Sequence, residues 1–192
     1  MTALVAVVAA ALMMVGCGNM QPSNTGANAA SKLSPHRAAD GTPIVDAANC
    51  LDTTTLAAGL ESGPICSVAA FTSGAGSTVN GDVSAKAAVT IGASGTVKGN
   101  ITANDATTLG ANARVSGSIN ANAAFTSGDS ANIGGNVNVG AAYSGGANSI
   151  VTGNVNAAGA VTLGANSKIL GSVHSGTGVI TYGLGATVGS TN

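Results

Sequence analysis

Residues 81–98 read Gly81-Asp82-Val83-Ser84-Ala85-Lys86-Ala87-Ala88-Val89-Thr90-Ile91-Gly92-Ala93-Ser94-Gly95-Thr96-Val97-Lys98, and Gly99-Asn100-Ile101-Thr102-Ala103 begins the same phrase again. It restarts at Gly117, Gly135, Gly153 and Gly171, always 18 residues on, with Asp, Asn or Ser after the glycine and then Val or Ile. A fixed period of this length is the mark of a repeat architecture. Numbering each unit from its glycine sorts the side chains into columns. Position 3 is Val83, Ile101, Ile119, Val137, Val155, Val173, and position 17 is Val97, Val115, Ile133, Val151, Ile169. Position 9 is Val89, Thr107, Phe125, Tyr143, Val161, and position 11 is Ile91, Leu109, Ser127, Gly145, Leu163. Positions 5 and 15 hold mostly Ala, Gly and Ser. The inward candidates fall in pairs two residues apart, the period of a strand. Three pairs per unit predict an all-β fold: a single-stranded triangular β-helix, or solenoid, with 18 residues per coil and about six to seven coils. A slip of one residue would expose the whole aliphatic column, so the phase is strongly specified.

The chain has 192 residues, 45% hydrophobic but only 7% charged and 2% aromatic, with a formal net charge of −1. Ala and Val dominate the apolar fraction, which predicts a thin interior of many small side chains. No basic patch or aromatic stacking set is present, which argues against a nucleic-acid partner.

The period slips once near the end. Ile180-Thr181-Tyr182-Gly183 matches Val161-Thr162-Leu163-Gly164 one residue late, which predicts a single insertion near 175–178. Phe125 and Tyr143 at position 9 coincide with Ser127 and Gly145 at position 11, which predicts volume compensation.

Upstream of the repeat, residues 3–15 are an unbroken apolar run of 13, too short to span a bilayer as a helix but suited to a signal-peptide core. The run ends in Met14-Val15-Gly16-Cys17, which resembles the lipobox of bacterial lipoproteins. The resemblance implies cleavage before Cys17, lipidation of that residue and a membrane anchor. It also implies outer-membrane sorting in a didermic bacterium, through Gly18. It departs from the pattern in lacking Lys or Arg before the apolar run. Residues 17–45 read as the lipidated cysteine and a polar tether, 46–66 as a cap, and 67–192 as the repeat domain. Leu56 and Leu60 within the cap fit one face of a short helix. Cys50 and Cys66 form an even pair once Cys17 is lipidated, and export to an oxidising compartment predicts a disulfide between them.

The strings Gly81-Asp82-Val83-Ser84-Ala85 and Val89-Thr90-Ile91-Gly92 through Gly99-Asn100-Ile101 resemble the bactofilins, polymer-forming cytoskeletal proteins of bacteria. That resemblance, over residues 71–190, implies rods that assemble end to end without a cofactor, here at the cell envelope because the chain is exported. The partner it implies is a second copy of the chain, with a cell-wall or surface polymer as a further candidate. The Gly-C-terminal aliphatic pairs Ile91-Gly92, Leu109-Gly110 and Leu163-Gly164 also resemble the hexapeptide acyltransferases, for which His174 would be the candidate catalytic group. No catalytic constellation surrounds it: Asp82, Asp105 and Asp129 occupy positions 2, 7 and 13 and do not stack. The reading is therefore non-enzymatic, without metal or cofactor. One outward column, Thr90, Thr108, Thr126, Ser144 and Thr162 at position 10, lies between an Ala column and a Gly column. This flat Ala-Thr-Gly face resembles those of ice-binding solenoids and is the alternative binding surface.

Overall fold

The computed structural model describes residues 54–191, together with the antiparallel strand pair His36–Arg37 and Pro43–Ile44. The signal-peptide core, Cys17, the tether and Cys50 lie outside the described residues. From Thr55 onward the chain is a parallel β-solenoid. Three short strands per coil stack on their counterparts 18 residues away, as in Val83–Ala85 on Ile101–Ala103 and Val89–Ile91 on Thr107–Leu109. They form a first face at positions 3–5, a second at 9–11 and a third at 16–17. The second face is an eight-stranded ladder from Thr55–Leu56 to Ile180–Tyr182. The first and third faces are joined at the last coil by one continuous strand, Lys168–Ser175.

The solenoid begins earlier than residue 67. Gly63 starts a further unit, with Ile65, Ser67, Phe71, Ser73, Ser77 and Val79 in the six inward columns, all buried. Before it, Thr55–Leu56 pairs with Thr72–Ser73 and Glu61–Ser62 with Thr78–Val79 at an interval of 17. Leu56 and Leu60 therefore do not share a helix: Leu56 packs against the core, and Leu60 is exposed. The missing residue hid this turn from an 18-residue reading of the sequence. At the other end the predicted insertion is present. Ala157 pairs with Ser175, yet Val161 pairs with Ile180, and the extra residue is absorbed in a turn where the Gly178 amide donates to the Ser175 carbonyl.

All six inward columns are buried in every coil from Gly63 to Leu170. The expected compensation is seen directly. Phe125 and Tyr143 stack with ring centroids 5.3 Å apart and planes 22° off parallel. A Cβ on Gly145 would sit 3.1 Å from the Tyr143 hydroxyl, so the glycine is the space the larger ring occupies. Phe71 beside Ser73 repeats the device in the Gly63 coil.

Burial pushes the Tyr143 phenol up from its ordinary 10.0, because the phenolate would lose its water. Below about pH 10 both folded and unfolded chains keep this proton, and stability is insensitive to Tyr143. Above it the unfolded chain ionises first, so stability should fall by up to about 1.4 kcal/mol per pH unit. Tyr143→Phe should flatten that alkaline limb in denaturant melts, and an unchanged limb would refute the assignment.

One inward residue is chemically mismatched. Thr107 is fully buried at position 9, and its hydroxyl has no hydrogen-bond partner. Thr107→Val keeps the shape and removes the orphaned group, so it should stabilise the fold by about 1–2 kcal/mol in equilibrium unfolding.

The candidate face, the corners and the coil ends

Two kinds of polar backbone device hold the coils in register. At position 2 each side-chain oxygen accepts the backbone N–H of its counterpart in the next coil. Asn100 donates to Asp82 Oδ1 at 2.7 Å, Ser118 to Asn100 Oδ1 at 2.8 Å, and Asn136 to Ser118 Oγ at 3.1 Å. Asn154 donates to Asn136 Oδ1 and Ser172 to Asn154 Oδ1, both at 2.8 Å. This ladder explains the glycine at position 1. A Cβ on Gly99 or Gly135 would run into the side-chain oxygen below and lie 2.6–2.7 Å from the backbone carbon of the preceding glycine. The second device is a left-handed backbone at position 14 of every turn. Gly59, Gly76, Ser94, Asn112, Ser130, Asn148, Asn166 and Gly185 have φ between 55° and 72°. Column 14 holds only Gly, Ser and Asn, so the signal was present in the sequence but masked by their frequency throughout the chain.

The outward column of the second face is longer than the five residues first identified. Strand register aligns Thr55, Thr72, Thr90, Thr108, Thr126, Ser144, Thr162 and Thr181. Thr90 is half-buried, and the other seven are exposed. Neighbouring rungs are one strand spacing apart, about 4.8 Å. One side of the rank is an Ala column ending in Val179, and the other is the glycine column Gly74, Gly92, Gly110, Gly128, Gly146, Gly164 and Gly183. Those glycines are sterically required: a Cβ on Gly110, Gly128, Gly146, Gly164 or Gly183 would approach backbone of the coil below to 2.5 Å. The face is flat because its flanks cannot carry larger side chains.

His174 lies on the opposite type of position. It is exposed at position 4 of the first face, in register with Asn156. The Thr rank and His174 are thus on different faces, and nothing in the register brings them together. Cys66 also falls at position 4, in the Gly63 coil, and is 8% exposed.

The coil ends differ from the middle. Among the described residues, the exposed large apolar side chains are Leu60 and Val68 at one end and Leu170, Val179, Tyr182 and Leu184 at the other. Leu184 is 90% exposed. In the last coil the inward columns open: Ile180, Ala186 and Val188 are only half-buried, and Tyr182 is exposed. Neither a family model nor a curated protein nor a solved structure matches this chain.

Proposed function

We propose that the chain is a non-enzymatic structural protein of the cell envelope, exported by its N-terminal apolar segment, anchored through lipid on Cys17 and self-associating through its coil ends. The observation that carries this reading is the distribution of exposed apolar side chains. They concentrate where the solenoid stops and are missing from the described coils between. A parallel ladder that ends in an open edge presents unpaired N–H and C=O groups, a ready template for another strand. Apolar groups beside such an edge supply the burial that strand pairing alone lacks.

The test is sedimentation and electron microscopy of the exported protein, with mass spectrometry of Cys17. The expected result is assemblies several solenoids long that shorten to single solenoids in the Leu184→Lys, Val179→Lys double variant. Monomers persisting at high concentration in the parent protein would refute end association. A Cys17 without acyl mass would refute the anchor independently.

A second reading rests on the Thr rank. Eight hydroxyl side chains in strand register on a flat face suit a repetitive surface such as ice or a crystalline polymer better than a small solute. Thr108→Tyr and Thr126→Tyr would destroy the flatness without entering the core. The reading expects thermal hysteresis in the parent and its loss in these variants, and a parent without hysteresis removes ice as the ligand.

A further inference from the structure

The first face is buried on its outward side where it should be wet. In a strand the residue between two inward neighbours points away from the core. On the second face that residue is exposed or half-buried in every coil. On the first face it is buried in three successive coils: Cys66 is 8% exposed, Ser84 7% and Thr102 1%. The same position is then half-buried at Asn120 and Asn138, and exposed at Asn156 and His174. Backbone register is unchanged along the whole face, so coil geometry cannot produce this gradient. The larger side chains are the exposed ones, so residue size cannot produce it either. Asn104, two residues beyond Thr102 at the corner, adds a second sign: its Oδ1 is buried with no hydrogen-bond partner. Something that is not a coil covers the outward side of this face at its N-terminal end.

We propose that the cover is the chain's own segment 45–53, strapped across the Gly63, Gly81 and Gly99 coils and fixed by a disulfide between Cys50 and Cys66. The segment reads Val45-Asp46-Ala47-Ala48-Asn49-Cys50-Leu51-Asp52-Thr53 and ends at the residue before the described solenoid begins. Cys50 is five residues before Thr55, the first strand residue of the solenoid. Extended chain covers about 3.3–3.6 Å per residue, so nine residues reach about 30 Å, against about 10 Å for three stacked strands. The apolar Val45, Ala47, Ala48 and Leu51 suit the small Ser84 and Thr102 side chains beneath them. The strap's backbone N–H groups and the Asn49 amide are donors of the kind Asn104 Oδ1 lacks. Closure joins the two Sγ atoms, releases two protons and passes two electrons to a disulfide oxidant of the exported compartment, which leaves as its dithiol. The inference rests on the proposed export, but not on self-association.

The test places thiols along the face of the full-length exported chain. Thr102→Cys and, in a separate variant, Ser84→Cys report under the strap, and Asn156→Cys reports on the open part of the same column. Maleimide labelling is read peptide by peptide, and the native linkage is mapped without reductant. The expected result is a Cys50–Cys66 linkage and labelling at 102 and 84 at least about tenfold slower than at 156, the protection falling away when Cys50→Ser releases the strap. The proposal is overturned by labelling at 102 and 84 as fast as at 156 in the oxidised chain, or by protection that survives Cys50→Ser. It is equally overturned by a linkage that joins Cys66 to a second copy.

Discussion

Gly128→Ala is expected to cost about 3 kcal/mol, although it adds a single methyl group on the surface of the second face. The added Cβ would lie 2.5 Å from the Ala111 nitrogen, 2.7 Å from the Gly110 carbonyl carbon and 2.9 Å from the Ala111 Cα. All three are backbone atoms of the coil below, already fixed by the strand pair Thr108↔Thr126 and by the Gly128 N–H donating to the Leu109 carbonyl at 2.7 Å. None can rotate away as a side-chain terminus would. Relief requires the two coils to part, which weakens the ladder on both sides of the lesion. Coils in a solenoid contact only their neighbours, so the damage should appear as loss of cooperativity as well as a lower midpoint. Urea unfolding followed by two probes, one on each side of Gly128, would show separate transitions. A single transition with an unchanged midpoint would mean that the coils are not held at this distance.

Phe125→Ala is expected to cost about 3–5 kcal/mol. The ring is fully buried and stacked on Tyr143, and the adjacent inward residue is the small Ser127, which cannot expand into the void. The Gly81 coil fills the same pair of sites with Val89 and Ile91. Phe125→Val combined with Ser127→Ile should therefore recover much of the loss, since volume moves from one side of the thin interior to the other. Equilibrium denaturation of the single and double variants checks both statements. A double variant less stable than Phe125→Ala would show that the stack with Tyr143, rather than volume, dominates.

The columns were legible in the sequence because inward residues differ in kind from corner residues and because the interval never drifts between Gly81 and Gly171. Val83, Ile101 and their counterparts could be placed inside, and the volume exchange at Tyr143 and Gly145 could be anticipated, from spacing alone. The Gly63 coil was harder. Pro64 stands where Asp or Asn begins the corner ladder, Ser73 and Ser77 occupy inward sites, and the turn before it is one residue short. The left-handed corner at position 14 was hidden because Ser94 and Asn112 look like any other polar residue of this chain. The Thr rank was legible over five coils but not at Thr55, Thr72 and Thr181, which lie beyond the regular interval or in its irregular ends. Nothing in the sequence separates Thr102 from Thr126, one buried and one exposed on outward positions of different faces. That difference arises from what covers each face, and no local pattern encodes it.

The constant interval between Gly81 and Gly171 also has a genetic meaning. A stretch of gene encoding 18 residues can be gained or lost by recombination between neighbouring copies, and each glycine still meets a backbone shaped to receive it. Length is then inherited as a copy number, changing in steps of about 4.8 Å while the pairing pattern stays the same. The 17-residue turn at the start and the late-register coil at the end are excluded from this exchange, because either would throw its neighbours out of phase. Lineages should therefore vary in the number of middle coils and keep both terminal ones, with Phe125 and Tyr143 gained or lost together as a linked pair.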